Sequence, residues 1–395
     1  MQLNQTRDMQ SGRGDAAPGT RTLRRRRRLR RWALATALLL AVALGVGCST
    51  CSFYRQAVVG HYRIVLNQRP IQQVLADPAQ PAELKDKLRL TLHLRQFAEQ
   101  QLRLPVNGHY QRYVDVGRRY VVWNVYAAPV ASLEAKKWWY PFVGRLAYRG
   151  YFSEQAARRY AQHLAKQGWE VYVEGVEAYS TLGWFRDPVL NTFIRHEPAD
   201  LAETLFHELA HQRLFVSGDT EFNEAFATAV SQHGVLCWLQ SLGDSATLSR
   251  YRIGLEREAE FVKLVARTRQ QLEQAYAQLN PGGQRRLPPD RLAAVCQAQQ
   301  QIRAQFRLQY AQLKQQWGGD TRYDAWVAGP LNNAQLNTVA TYYDWVPAFK
   351  QLLAEQQGDL ERFYRAAARL GKLPKPVRHQ RLKELCERAR AASKQ

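Results

Sequence analysis

Cysteine is scarce in this chain: five stand in 395 residues, and of these only Cys48 and Cys51 share the C-x-x-C spacing. The shortage excludes a zinc site built from two C-x-x-C pairs and leaves cysteine catalysis without support. Cys237, in GVLCWL, and Cys296, in AAVCQA, are expected as buried helical thiols, with a disulfide between helices left open in an oxidising compartment. Acid is short as well, 34 Asp and Glu against 56 Lys and Arg, for a net charge of +22. That balance invites a nucleic-acid partner. Residues 1–31, however, hold ten Arg against two Asp and so carry +8 of the total, and no RNA- or DNA-binding motif accompanies the remainder. No nucleic acid is therefore expected. The arginine run fits an anionic membrane surface, and the remaining excess a solvated basic face.

Long apolar runs are missing with one exception. Behind Arg21–Arg31 (RTLRRRRRLRR) comes Trp32–Gly47, WALATALLLAVALGVG, which has the length of a signal-peptide core and is slightly short for a comfortable membrane span. Positive charge ahead of an apolar run holds that end in the cytoplasm and sends the rest across, so the body is expected to be exported. Cys48, directly after small Gly47, resembles the lipid-attachment cysteine of a bacterial lipoprotein, although Gly45 stands where leucine is usual and Leu44 lies one place further back. An uncleaved signal anchor is the alternative, and both tether the body to the membrane.

The chemistry concentrates in Phe206–Thr228, FHELAHQRLFVSGDTEFNEAFAT. His207, Glu208 and His211 form H-E-x-x-H, whose two imidazoles share one helix face a turn apart and can reach one cation, with the glutamate beside them as general base for water. A catalytic zinc takes a third protein ligand and keeps a fourth position open. Gly218 reads as a helix stop and Asp219 or Thr220 as the cap of a second helix, which puts Glu224 in its early turns as third ligand. Thr228 shares that face one turn on. Asp219 and Glu221 are rival ligands, Asp219 being explained more simply as a cap. His233, nine residues past Glu224, is half a turn out of phase and should face away from the metal.

A hydrophobic content of 46% lets the rest of the chain bury a sizeable core, as one large domain or two closely packed ones. Its texture divides into a basic N-terminus and signal or anchor segment (1–47), a helical part (48–109), a sheet and metal-binding catalytic unit (110–245), and a helical C-terminal part (246–395). Asp77-Pro78 and Gln80-Pro81 should part an early helix from a later one within Phe53–Leu104. Arg119–Ala127, Tyr140–Tyr148 and Trp169–Gly175 read as strands. Between the last two, Ser153 caps a helix that ends at Gly168 and aligns Ala156, Tyr160 and Leu164. His61, His93 and His163 are isolated imidazoles, read as packing or surface residues. Tyr251–Leu279 and Arg291–Trp317, joined by NPGGQRRLPPD, should form an antiparallel helical hairpin packed on the catalytic unit. The Lys-rich tail after Leu370 reads as a solvated helix without chemistry of its own.

Glu177–Pro188, EAYSTLGWFRDP, could present an extended edge to a peptide substrate, with Tyr179, Ser180, Thr181 and Gly183 in the cleft wall; an ordinary hairpin turn is the equal alternative. In the segment Gly329–Leu353, Asn332, Asn333, Tyr342, Tyr343 and Asp344 cluster ahead of Pro347. Tyr342 is the candidate oxyanion donor, with Tyr343 and plain core packing as competitors.

Together AYSTLGWFRDP, FHELAHQ, GDTEFNEAFAT and PLNNAQLNTVATYYDWVPAF resemble a family of bacterial membrane-associated proteins described as putative aminopeptidases, zinc-dependent by inference. The likeness spans nearly all of the chain from Cys48 onward. More broadly the chain is similar to gluzincin-like enzymes, thermolysin-like and aminopeptidase N-like, whose third ligand is a glutamate on a following helix. Only twelve residues separate His211 from Glu224 here, fewer than in those groups. The metzincin pattern fails, since Leu214 and Ser217 stand where its glycine and third histidine belong. The resemblance implies a mostly helical α+β fold: a zincin-like unit with a small mixed sheet, the H-E-x-x-H helix and a glutamate helix, plus the long C-terminal hairpin. It also implies Zn2+, a peptide substrate, and Glu177 as the carboxylate that holds the substrate α-ammonium, with Glu174 as alternative. The expectation is a membrane-tethered zinc aminopeptidase. A zinc endopeptidase, or a zinc-containing envelope lipoprotein without hydrolytic activity, stands as the alternative, and oligomeric state is left open.

Overall fold

The computed structural model describes Trp32 and residues 48–140, 144–178 and 186–392. The chain divides into two compact units, Met1–Val58 and Val59–Gln395, and the fold below is that of the second. A helix, α1 (Cys48–Leu66), leads into it. Among the described residues no helix is long and apolar enough to cross a membrane; the Trp32–Gly47 run lies outside them apart from Trp32.

After α1 come α2 (Ile71–Ala76) and α3 (Ala82–Gln100). The break falls at Asp77–Pro81, where proline cannot continue the hydrogen-bond ladder and the Asp77 side chain accepts from the Ala79 amide at 3.1 Å. Strand β1 (Arg69–Pro70) lies antiparallel to β2 (Arg112–Val114), and a short strand after residue 188, β8 (Val189–Leu190), pairs parallel to β2 on its other side.

The second sheet has β3 (Val122–Pro129) at its centre, antiparallel to β6 (Tyr148–Tyr151) and to β7 (Trp169–Val176). Tyr140–Tyr148 is not one strand. Gly144, at φ +89°, turns the chain so that β5 (Gly144–Leu146) folds back on β4 (Trp138–Tyr140), and β6 begins only at Tyr148. Helix α4 (Glu154–Lys166) starts on a Ser153 cap, but its buried line is Ala157, Ala161 and Leu164 rather than the expected line through Ala156 and Tyr160. Side chains alternate across a strand, so register decides what each face carries. Trp123 opposes Tyr151, which touches Tyr160 of α4; Tyr126 and Ala128 turn the other way and pack with Ala334. On that second face register also aligns Tyr148, Tyr172, Asn124 and Glu174.

The main core is built around α5 (Pro198–Arg213) and α6 (Thr220–Leu242). From Phe222 through Gln232 every residue of α6 is buried, as expected of a helix apolar nearly all round. Phe222 and Phe226 meet Phe349 at 5.1 and 5.6 Å between ring centroids, and Phe226 stacks on Phe363 at 5.8 Å. Gly234 is required by close approach: a Cβ there would lie 2.6 Å from Leu102 Cδ1 and 2.9 Å from Phe206 Cδ2.

A second core holds the helical hairpin, α7 (Ser245–Leu279) and α8 (Pro289–Gln316), together with α9 (Asp324–Val327) and α10 (Asn333–Tyr343). Phe261 stacks on Tyr323 at 3.9 Å; Leu336 and Val339 of α10 belong to this core, while Ala334 of the same helix packs with Tyr126 and Ala128 of β3. Asn332 and Asn333 prove to be scaffold: Asn332 caps α10, and buried Asn333 donates to the carbonyls of Pro129, Val130 and Ser132 while accepting from Tyr276. The chain closes with α11 (Val346–Glu355), α12 (Leu360–Gly371) and α13 (Lys375–Ala392).

Two further expectations are corrected. The tail is not a solvated helix, because Arg378, Leu382, Leu385 and Cys386 of α13 are buried. Cys296 is exposed, since the inward line of α8 runs through Val295 and Gln299. Cys237, Cys296 and Cys386 are all free thiols.

Candidate metal centre

His207 and His211 project from the last turns of α5 and Glu224 from the second turn of α6, the helices most extensively packed on each other. His207 Nε2 lies 3.2 Å from His211 Nε2 and 3.2 Å from Glu224 Oε2, and His211 Nε2 lies 3.6 Å from the same oxygen. Tetrahedral ligands at ordinary zinc bond lengths are about 3.3 Å apart, so the three donors already stand at the spacing a small cation requires. Their chemistry fits as well: two imidazole nitrogens and one carboxylate oxygen face one point. Among the described residues the buried His211 ring finds no partner at Nδ1, and its polar contacts there are at the nitrogen that faces the site. Burial alone would raise the Glu224 carboxyl, but His211 and His207 hold it down to about 2, an anion ready to ligate.

The short connection is accommodated by its backbone. Leu214 leaves α5 extended at φ −151° and Gly218 turns at φ +78°, open to glycine at no steric cost. Asn223 brackets the turn, accepting from the Val216 amide at 2.8 Å and donating to the Val216 carbonyl at 2.9 Å. The residue after it is Glu224. Asp219 occupies the cap position of α6 without capping it: its carboxylate meets Arg378, Lys375 and His379 instead, and Glu221 pairs with Lys375. Both rival ligands are thus engaged away from His207. Asp219, Glu221 and His379 also gather their ligand atoms within 4.8 Å, but Lys375 and Arg378 already supply the positive charge.

A family model described as "Putative aminopeptidase" matches residues 52–382. The chain belongs to that family. Membership supports a peptidase role. No curated protein and no solved structure matches the chain.

The residues around the three donors sort into those that face them and those held elsewhere. Burial raises the Glu208 carboxyl to about 7, opposed by His207 and reinforced by the charges of Glu224 and Asp187. The Tyr342 ring lies 6.4 Å from that of His207, and the charge of Glu224 together with burial pushes its hydroxyl well above the ordinary range. Tyr343 points elsewhere, donating to Glu258 at 2.9 Å. Glu177 is occupied: His196 Nε2 is 2.7 Å from its carboxylate. Glu174, on the tyrosine face of β7, is raised to about 7 by burial against a hydrogen bond from Tyr126, and its charge reaches Tyr342. His233 is no part of the donor group and meets Cys237 Sγ at 3.4 Å. Buried Thr228 lies one turn beyond Glu224. Tyr179, Ser180, Thr181 and Gly183 lie outside the described residues; Cys48 opens α1, and its side chain lies outside them too.

Sequence reasoning passed over two features. Asp187, given no role of its own within Glu177–Pro188, is buried, paired with His109 at 3.3 Å and close enough to act on Glu208. Tyr126, Tyr148 and Tyr172 were visible as strand aromatics, but the face they share follows from strand register. The alternation of tyrosine with valine in WNVYA and EVYVE was the available signal.

Proposed function

We propose that this protein is a zinc-dependent metallopeptidase acting as an aminopeptidase, tethered to the periplasmic side of a bacterial envelope membrane. One observation carries the reading: His207, His211 and Glu224 converge at ligand spacing with Glu208 beside them. A bound Zn2+ supplies a Lewis acid for the scissile carbonyl and lowers the pKa of the attacking water. Glu208, held near neutrality by burial, takes the proton of that water and delivers it to the leaving amine. Tyr342, whose hydroxyl stays protonated across the working range, donates to the developing oxyanion.

The substrate α-ammonium needs an anion near the metal. Glu174 is better suited to this than Glu177, because the Glu177 carboxylate is already engaged by His196 Nε2 at 2.7 Å whereas Glu174 opens onto the tyrosine face that includes Tyr342's neighbours. The arginine run, the apolar run and Cys48 support the tether, through a lipid or an uncleaved anchor. Glu208→Gln should abolish peptide hydrolysis while metal stays bound; a purified, metal-loaded variant that retains activity would sink the assignment. Equal cleavage of N-acetylated and free peptides would identify an endopeptidase instead.

A further inference from the structure

The two donor helices, ending at Arg213 and beginning at Thr220, are joined by a short turn, and the C-terminal helix grips it at Asp219. Asp219 is fully buried. Arg378 Nε donates to its Oδ2 at 2.8 Å, His379 Nε2 lies 2.9 Å from the same oxygen, and Lys375 Nζ lies 3.0 Å from Oδ1. Arg378 is itself buried, stands 5.4 Å over the Phe222 ring, and donates from Nη1 to the carbonyls of Gly371 and Leu373. Gly371 packs so tightly against the same turn that a Cβ there would sit 2.9 Å from Val216 Cγ2. One buried carboxylate is therefore ringed by three basic side chains from α13, about 160 residues further along the chain.

We propose that α13 is a clamp that sets the third metal ligand, with Arg378 as the positioning residue. Asn223 spans the turn from inside through Val216, and Asp219 is fixed from outside through Arg378. Glu224 follows these two by one and five residues. A helix start pinned at both sides leaves the Glu224 carboxylate little freedom to swing away from His207 and His211. The buried pair is weak evidence for net stability, because desolvating two charges cancels much of their attraction. Its geometric effect is the stronger one, since an uncompensated Asp219 or Arg378 cannot stay where it is. Burial would raise the Asp219 carboxyl, but His379 and Lys375 hold it well below the ordinary range, so the carboxylate is charged whenever the clamp is closed.

The inference rests on the metal reading above, and its test separates the two. In the full-length protein, Arg378→Gln, Arg378→Lys and the milder Lys375→Met, at a half-exposed position, are compared with wild type. Three readouts are used: zinc affinity by chelator competition, the visible spectrum of the cobalt-substituted protein, and amide exchange over residues 216–224 without metal. Loss of a group that orients a ligand weakens metal binding about 10- to 100-fold. Arg378→Gln should fall in that range, show an altered cobalt spectrum and exchange faster across the turn, with Arg378→Lys recovering most of each. If Arg378→Gln does not fold, Lys375→Met must move the same readouts in the same direction. Folded variants with wild-type affinity, spectrum and exchange overturn the clamp alone. A wild-type protein that takes up no metal overturns the metal reading and the positioning role with it.

Discussion

Glu174 and Glu177 lie three residues apart on the same stretch of chain, yet the structure gives them opposite expectations. The perturbation is Glu174→Gln against Glu177→Gln, assayed as kcat and KM on short peptides with free or acetylated N-termini between pH 6 and 8. A hydrogen bond to a charged partner contributes about 1.5–3 kcal/mol, so removing the Glu174 carboxylate should raise KM for free peptides about 10- to 150-fold. Glu177→Gln should change KM little, because its carboxylate is already paired with His196 at 2.7 Å. The pH dependence sharpens the contrast. With its carboxyl raised to about 7 by burial, Glu174 is ionised in roughly one molecule in eleven at pH 6 and nearly all at pH 8, and apparent affinity scales with the competent fraction. Because the substrate α-ammonium, with a pKa of about 7.8, is itself more than half deprotonated at pH 8, KM for free peptides should fall about fourfold over that interval, and this fall should be absent in Glu174→Gln and with acetylated substrates. An unchanged KM in Glu174→Gln, together with a raised one in Glu177→Gln, would refute the reasoning.

Tyr342→Phe should lower kcat about 100- to 1,000-fold with KM nearly unchanged, whereas Tyr343→Phe, which loses a hydrogen bond to Glu258, should cost about 1 kcal/mol of stability and spare kcat. Burial and the charge of Glu258 raise the Glu203 carboxyl from 4.5 to about 7 in the folded protein. A raised acid binds its proton more tightly when folded, so its contribution is fully present below the unfolded value and is lost as pH climbs through the folded one. Glu203→Gln, which can still accept from Tyr251, should flatten that decline and gain at most about 3 kcal/mol at pH 8 in denaturant titrations. Gly234→Val should destabilise by about 1–3 kcal/mol in the same assay, because Leu102 and Phe206 are both fully packed and cannot yield to a new Cβ.

Much of the centre could be read from local spacing. The i, i+4 pair His207 and His211 and a glutamate early in the next helix are consequences of helical period and turn chemistry, which act within a few residues; the expected stop at Gly218 was misplaced, since α5 already ends at Arg213 with Leu214 extended and Gly218 only turns the connection. The strands expected in Arg119–Ala127 and Trp169–Gly175, the α4 cap at Ser153, the proline break after Ala76 and the hairpin turn were legible for the same reason. Two of the errors were of one kind. Ala156 and Tyr160 were assigned to a face that belongs to Ala157 and Ala161, and Cys296 to a face that belongs to Val295, because period shows that a helix has an inward line but not which neighbour it will meet. The tail after Leu370 carried so many charges that it read as solvated, yet Arg378 is buried against a carboxylate on the far side of the sequence. The choice between Glu174 and Glu177, the assignment of Tyr342 rather than Tyr343 to the metal side, and the engagement of Asp219 away from His207 all depend on partners 19 to 160 residues distant. Residue type and spacing along the chain therefore decided which groups could bind a metal and move a proton. Packing between distant segments decided which carboxylates remained free to do so, because a charge is silenced or exposed by whatever tertiary contact reaches it first.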